Sequence, residues 1–353
     1  MNITKRLLNI GNRGGQHLGR AGRHEHIVLD ADAAKRTVRF VPSLRKAPGP
    51  AIWHHRDCPC VRVAYVHGIQ RMKFSQSQAD VYVPGGLAAA AALARTTHLC
   101  IAAHQDDVEI MAYQGIAECF EREDRWFSGV VVSNGAGSPR TGPYAMISDE
   151  EMQAVRRREQ RRAARLGAYS IQIQLAHPSA AVKSPVNADV REDLVRILSA
   201  CRPKVLYVHN PADKHDTHVA VFLRCLEAIR SLPREQRPRQ VLGCEVWRDL
   251  DWLPDCEKVA LDVSDRPQLA KALLGVFKSQ IAGGKRYDVA TLGRRAAHAS
   301  YFAPRATDAS LALAFAMDLT VLTKIETLDV RTYVRDLIRE FRDDVTERLD
   351  RLS

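Results

Sequence analysis

No apolar run in this sequence is long enough to span a bilayer; the longest, Gly85 to Leu93, is short and built of small residues. Met1 to Arg23 shows no apolar h-region ahead of a cleavage site, so a cytoplasmic protein without a membrane span is expected. A disulfide framework is missing as well. The cysteines at 58, 60, 100, 119, 201, 225, 244 and 256 are scattered, and several fall inside predicted strands or helices, as reduced core thiols do. No internal repeat is present. What remains is a 353-residue chain with 46% hydrophobic residues, which is enough for one large α/β domain or two smaller ones around a sizeable core.

The net charge of +11 is unevenly spread, because residues 1–50 carry ten Lys/Arg against three acids. Gly11, Gly14, Gly15, Gly19 and Gly22 make the start of this segment a flexible, solvated arm. Contact with a polyanion is its sharper alternative, and nucleic acid is not expected as a partner. The β-like segment Thr37 to Val41, the linker Ala47 to Pro50 and a strand at Val61 to Val66 follow. His54, His55, Cys58 and Cys60 have metal-binding chemistry, but their spacing matches no usual zinc site and none is assigned there.

From Leu93 onward, short apolar runs alternate with longer amphipathic stretches, the pattern of βαβ units and a mostly parallel sheet. Strands are expected at Leu99–Ala103, Gly129–Ser133, Ile171–Leu175, Val205–His209, Val241–Trp247 and Val259–Val263. Helices are expected at Val108–Arg122, from a Ser148 cap to Leu166, and at Ala188–Ala200, Asp216–Ser231, Pro267–Ile281, Val289–Ser300 and Ser310–Leu319. In the tail, Val330, Val334, Leu337, Phe341, Val345, Leu349 and Leu352 form an apolar stripe on a charged helix. The stripe either packs on its own domain or joins subunits, and a homo-oligomer is expected.

Two stretches carry chemistry. His104-Gln105-Asp106-Asp107 and His215-Asp216-Thr217-His218 each follow a strand-like run, where open α/β sheets gather their sites. A catalytic zinc keeps three protein ligands and an open position. Two His and one carboxylate can be drawn from these stretches, leaving an acid and a second His. His-x-x-His alone is weak; coupled to His-x-Asp-Asp at an equivalent position it is strong. His209, at the same rim, reads as a hydrogen-bonded structural His. Glu159 falls on the apolar face of its helix and needs an Arg partner such as Arg156 or Arg162.

Ala103-His104-Gln105-Asp106-Asp107 with His215-x-x-His218 downstream resembles the PIG-L/LmbE-like N-acetylglucosaminyl deacetylases. Ser133-Asn134-Gly135-Ala136-Gly137 is similar to that family's Gly-bearing loop, and the Arg158 to Gly167 segment to the stretch that follows it. The resemblance spans roughly residues 95–305. It implies a Rossmann-like, doubly wound sheet and says nothing about the arm or the tail; with the charge and apolar patterning, the chain divides into a basic arm (1–50), a deacetylase domain (51–308) and a helical extension (309–353). It also implies zinc, or another divalent metal, held by His104, Asp107 and His218. Asp106 is then the general base and His215 the side chain facing the reacting carbonyl. The implied reaction removes acetate from an N-acetylated amino sugar or glycoconjugate.

Zinc lowers the pKa of a bound water to about 7, so a carboxylate beside that water can take its proton. Candidate substrate contacts are Asn134, Arg140, Asp213, Tyr287 and Arg294, with Arg140 the preferred anion contact and Tyr301 a further pocket residue. This chain departs from the family pattern at Gln105, where Pro is usual, and at Val108, where Glu is usual and Glu109 comes one place late. Thr217 replaces an Asp that would orient an imidazole, a task open to Asp213 or Asp216. The alternatives are a same-fold amidase for another acyl group or thiol conjugate, and a polyanion-binding protein with a structural metal.

Overall fold

A computed structural model describes residues 72–353. The basic arm, the segments Thr37–Val41 and Val61–Val66 and the His54 to Cys60 cluster lie outside the described residues.

Eight strands form one sheet: β1 (Asp80–Tyr82), β2 (His98–Ala102), β3 (Phe127–Ser133), β4 (Gln172–His177), β5 (Val205–His209), β6 (Gln240–Cys244), β7 (Lys258–Asp262) and β8 (Leu313–Asp318). Their order is β1-β4-β3-β2-β5-β6-β8-β7. The five strands from β4 to β6 run parallel, while β1 and β8 are antiparallel to their neighbours. The chain starts this parallel core at β2, winds outward through β3 and β4, then returns beside β2 as β5 and winds the other way through β6. Between β2 and β5 the winding reverses, and there open α/β sheets leave a crevice beyond the strand ends.

Both faces of the sheet are covered, so its strands read as continuous apolar runs. Leu99, Ile101, Val130 and Val132 pack with Leu194, Ile197 and Phe222 of the helices Asp189–Cys201 and Asp216–Ser231 on one face. On the other, Cys100, Ala102 and Val131 meet Val108, Ile116 and Ala163 of the helices Asp107–Met111, Tyr113–Cys119 and Asp149–Leu166. The described cysteines are free thiols, buried except for Cys256. No helix among the described residues is long and apolar enough to cross a membrane.

Ser148 caps its helix as expected: its hydroxyl accepts from the Glu151 amide, and the Glu151 carboxylate accepts from the Ser148 amide. Two expected helices are interrupted, Val108–Arg122 at Ala112 and Pro267–Ile281 after Leu274. The expected helix Ser310–Leu319 is instead strand β8, inserted between β6 and β7. Leu, Ala and Met favour helix, yet the large and small residues alternate. Leu313, Phe315 and Met317 enter the core on one face, while Ala314 and Ala316 lie flat against the other. Here the period of two outweighs propensity.

In the helix Val330–Leu352 only the beginning of the apolar stripe is covered. Leu337 is buried and Val330 packs against the core, whereas Phe341, Val345, Leu349 and Leu352 face solvent.

Candidate active site at the winding reversal

His104 leaves the end of β2, and Asp107 begins the next helix only three residues later. The turn is tight enough to force Asp106 to φ 101°, a left-handed conformation that costs a non-glycine residue ~1–3 kcal/mol and marks functional turns. Across the crevice, His215 caps the helix Asp216–Ser231 after β5, and His218 lies in its first turn. The two expected motifs therefore meet.

Asp107 Oδ2 lies 3.1 Å from His104 Nδ1 and 3.3 Å from His218 Nε2, and the two ring nitrogens are 3.1 Å apart. A single ring proton on His104 Nδ1 cannot serve both neighbours, whereas a shared cation serves all three atoms. Donors held ~2.0–2.2 Å from a tetrahedral ion stand ~3.3–3.6 Å from one another, close to this triangle. The electrostatics agree with the geometry. Burial disfavours the Asp107 carboxylate, but the imidazoles of His218 and His104 hold it well below the usual range. Burial likewise opposes charge on His218, yet Asp107 and Asp213 raise it to about 9. The donor set thus fits a divalent cation.

Two further imidazoles approach the same point. His104, His215 and His218 each offer a ligand atom within 4.8 Å of the others, as do Asp107, His209 and His218. His209 is committed elsewhere: its Nε2 accepts the Ala103 amide at 2.9 Å, and burial keeps the ring neutral. His215 Nδ1 accepts the Thr217 amide at 3.3 Å, which leaves Nε2 to carry the proton of the neutral ring. Burial, then the neighbouring His218 and His104, lower the pKa of His215 and favour that neutral form.

Asp106 is buried beside the triangle. Burial raises its carboxyl to about 6 against the pull of Arg156, whose Nη2 stands 3.5 Å from Asp106 Oδ2. Its amide donates to Gln160 Oε1 at 3.3 Å. Gln160 Nε2 in turn donates to Glu109 Oε1 at 2.9 Å, and the Tyr169 hydroxyl donates to the same oxygen at 2.7 Å. The Asp106 backbone N–H can only donate, so the Gln160 oxygen faces it and Nε2 turns toward Glu109. Glu109, one place later than the family pattern, thus reaches Asp106 through Gln160.

These groups open into a cavity of about 710 Å³. Its walls are the loop after β3, through Gly135 and Pro139, and the Gly284 to Tyr287 segment. Tyr287 and Arg294 of the expected contacts line it, and Arg294 Nη1 donates to the Val246 carbonyl at 2.7 Å. Others are directed elsewhere. Arg140 folds back on the carbonyls of Ala136, Ser138 and Ile147 and on Asp149. Asn134 Oδ1 accepts the Ala136 amide, and Tyr301 is exposed. Asp213 accepts the His215 and Trp247 amides at 2.9 and 3.0 Å and stands 3.5 Å from His218 Nδ1, so it braces the loop and that ring. Asp216 makes no such contact among the described residues.

Arg156, Lys183, Trp247 and Lys285 also line the cavity, beyond the contacts expected from sequence. Arg156 pairs with Glu159 at 3.6 Å, as expected, but its guanidinium also reaches the Gln105 carbonyl and Asp106. The signal was present: Arg156 shares the buried helix face with Met152 and Glu159. Gly135 makes this approach feasible. It sits at φ +77°, and an added Cβ would stand 2.7 Å from Gln105 Oε1 and 3.2 Å from Arg156 Cγ. Gly135→Ala is expected to cost about 1–2 kcal/mol from the backbone alone, and to displace Arg156. A lowered urea midpoint measures this; an unchanged midpoint would contradict the close approach.

Residues 99–229 match the family model described as PIG-L, GlcNAc-PI de-N-acetylase. Among solved structures, the chain is similar to N,N'-diacetylchitobiose deacetylase from Pyrococcus horikoshii, with a TM-score of 0.51 and 17% identity over 64% of this chain and 85% of that one. It is also similar to the 4-carboxy-2-hydroxymuconate hydratase of Pseudomonas putida KT2440, with a TM-score of 0.46 and 15% identity over 63% of this chain and 95% of the other. For the zinc-inhibited form of a teicoplanin deacetylase the TM-score is 0.43, with 15% identity over 63% and 97% of the two chains. No curated protein matches. At 17% identity, the likeness to the chitobiose deacetylase speaks for a shared fold alone.

Proposed function

We propose that this chain, whose residues 99–229 are of the PIG-L type, is a divalent-metal-dependent deacetylase that hydrolyses the N-acetyl group of an amino sugar or glycoconjugate. The observation that carries the reading is the placement of Asp106, with its raised carboxyl, beside the triangle of His104, Asp107 and His218. Those three residues would hold the metal, and zinc is the choice their mixed nitrogen and oxygen donors suit. A cation bound there supplies Lewis acidity to the amide carbonyl and to the attacking water.

The chain's own residues supply the proton handling. With its carboxyl near 6, Asp106 is largely ionised at neutral pH and takes a proton from the attacking water. Negative charge then develops on the former carbonyl oxygen, where the Nε2–H of neutral His215 donates. The proton held by Asp106 passes to the nitrogen as the C–N bond breaks, giving acetate and a free amine. Meanwhile Arg156 stays 3.5 Å from Asp106 and restrains the carboxylate without neutralising it.

The test is acetate release by the full chain from N-acetylated sugars before and after dialysis against a chelator. Release should vanish on chelation and return with zinc. Release that persists in metal-depleted protein would overturn the reading.

A further inference from the structure

Arg295 is a buried cation that the proposed reaction leaves unused. It lies in the helix Tyr287–Tyr301, on the face it shares with His298 and Ala299, and is only 3% exposed. Among the described residues no carboxylate stands within ion-pair distance of it, and its Nε and Nη1 have no hydrogen-bond partner. Glu245, which acts on its charge from farther off, is engaged by His298 Nε2 at 2.9 Å. Burial lowers the guanidinium to about 10, which leaves it charged at neutral pH. Burying an unpaired charge is costly, and an apolar side chain of similar volume would fill the same space without that cost. Packing alone therefore does not account for an arginine here.

What the guanidinium holds is the end of the helix Asp107–Met111. Its Nη2 donates to the carbonyls of Glu109 and Ile110, both at 3.0 Å. The last carbonyls of a helix have no partner within it and carry the negative end of its dipole, so a donating cation suits them on both counts. The guanidinium carbon also lies 5.0 Å over the Tyr113 ring, whose hydroxyl donates to the Asp265 and Arg266 carbonyls at 2.9 and 2.7 Å and so pins the stack. The helix has five residues, too few to keep its shape without anchors. Gln160 secures its start through the Asp106 amide, and Arg295 secures its end.

We propose that Arg295 is a positioning residue for the metal centre: clamped on the Glu109 and Ile110 carbonyls, it holds the helix Asp107–Met111 so that Asp107 meets His104 and His218. Arg295 lies outside the residues 99–229 that match the family model, on a helix whose Tyr287 and Arg294 line the cavity. One helix thus fixes both a wall of the cavity and the metal-binding turn at its floor. The role rests on the metal site of the deacetylase reading, and zinc affinity measures it without turnover.

The experiment determines the zinc affinity of the full chain by competition with a chelating dye. The unfolding midpoint of the metal-free protein and acetate release from N-acetylglucosamine and N,N'-diacetylchitobiose are read alongside. Arg295→Met should bind zinc about ten- to a hundredfold more weakly than wild type, the range seen when groups behind metal ligands are removed, while its metal-free midpoint does not fall. Arg295→Lys, which returns a cation with donors, should recover most of the lost affinity. Leu198→Ala, in the core on the other face of the sheet, should lower the midpoint and leave zinc affinity unchanged. Wild-type zinc affinity in Arg295→Met, or an equal loss in Leu198→Ala, overturns the proposal. If Arg295→Met fails to fold, the same criterion is read on Arg295→Gln, which keeps a donating amide without the charge. Weakened zinc binding in the variant with no acetate release by wild type keeps the positioning role and removes the deacetylase reading. Acetate release with unaltered zinc affinity does the reverse, and a wild type that takes up no zinc removes both.

Discussion

Asp106→Asn is expected to retain metal at wild-type stoichiometry and to lose about 10²–10⁴ of its turnover, the range a positioned general base supplies. Asn matches Asp in size and branching, so the change adds no backbone cost of its own at the φ of 101°. Its amide N–H still meets Gln160, and Arg156 keeps Glu159 as a partner. Only the capacity to accept a proton disappears. Asp106→Ala would add backbone strain to that loss and is the poorer test. Metal content is measured by elemental analysis and turnover by acetate release. A variant that keeps substantial activity would place the base elsewhere; one that loses its metal would make Asp106 a ligand.

His218→Ala is expected to lose metal and activity together. The ring is fully buried, lies 4.0 Å from His209 and 4.5 Å from His215 by centroid, and separates the carboxylates of Asp107 and Asp213. Removing it takes a donor from the triangle and leaves those buried carboxylates without the group between them. Loss of one partner from a buried charge pair costs about 3–5 kcal/mol. The variant should therefore unfold at lower denaturant than metal-free wild type, as well as failing to retain zinc. Full metal content in this variant would mean that His215 or His209 serves as the ligand.

Much of this site was legible because its residues sit at strand ends, where a short motif and the sheet topology determine position together. His104 and Asp107 span one turn, His215 and His218 one turn of helix, and the order of the strands brings both to the same crevice. Ser148 and Glu151 announced their helix through a purely local bond pair. Other features depend on contacts that no local pattern encodes. Strand β8 was masked by helix-favouring Leu and Ala, and its alternation acquires meaning only once both sheet faces are known to be covered.

Arg140 looked like an anion contact by its place in the loop after β3, but nearby carbonyls capture its guanidinium. Arg156, eight residues into a helix with many arginines, differs from the exposed Arg158 and Arg162 only in the face it occupies. Glu109 looked displaced from a useful position, and only the folded helix shows Gln160 linking it to Asp106. Long-range neighbours decided each of these cases.

The most direct measurement is anomalous diffraction at the zinc edge from crystals of the metal-loaded protein. The account predicts a single peak in the crevice within about 2.0–2.2 Å of His104 Nδ1, Asp107 Oδ2 and His218 Nε2, with Asp106 beside it and uncoordinated. A peak elsewhere, or one bound through Asp106, would contradict it.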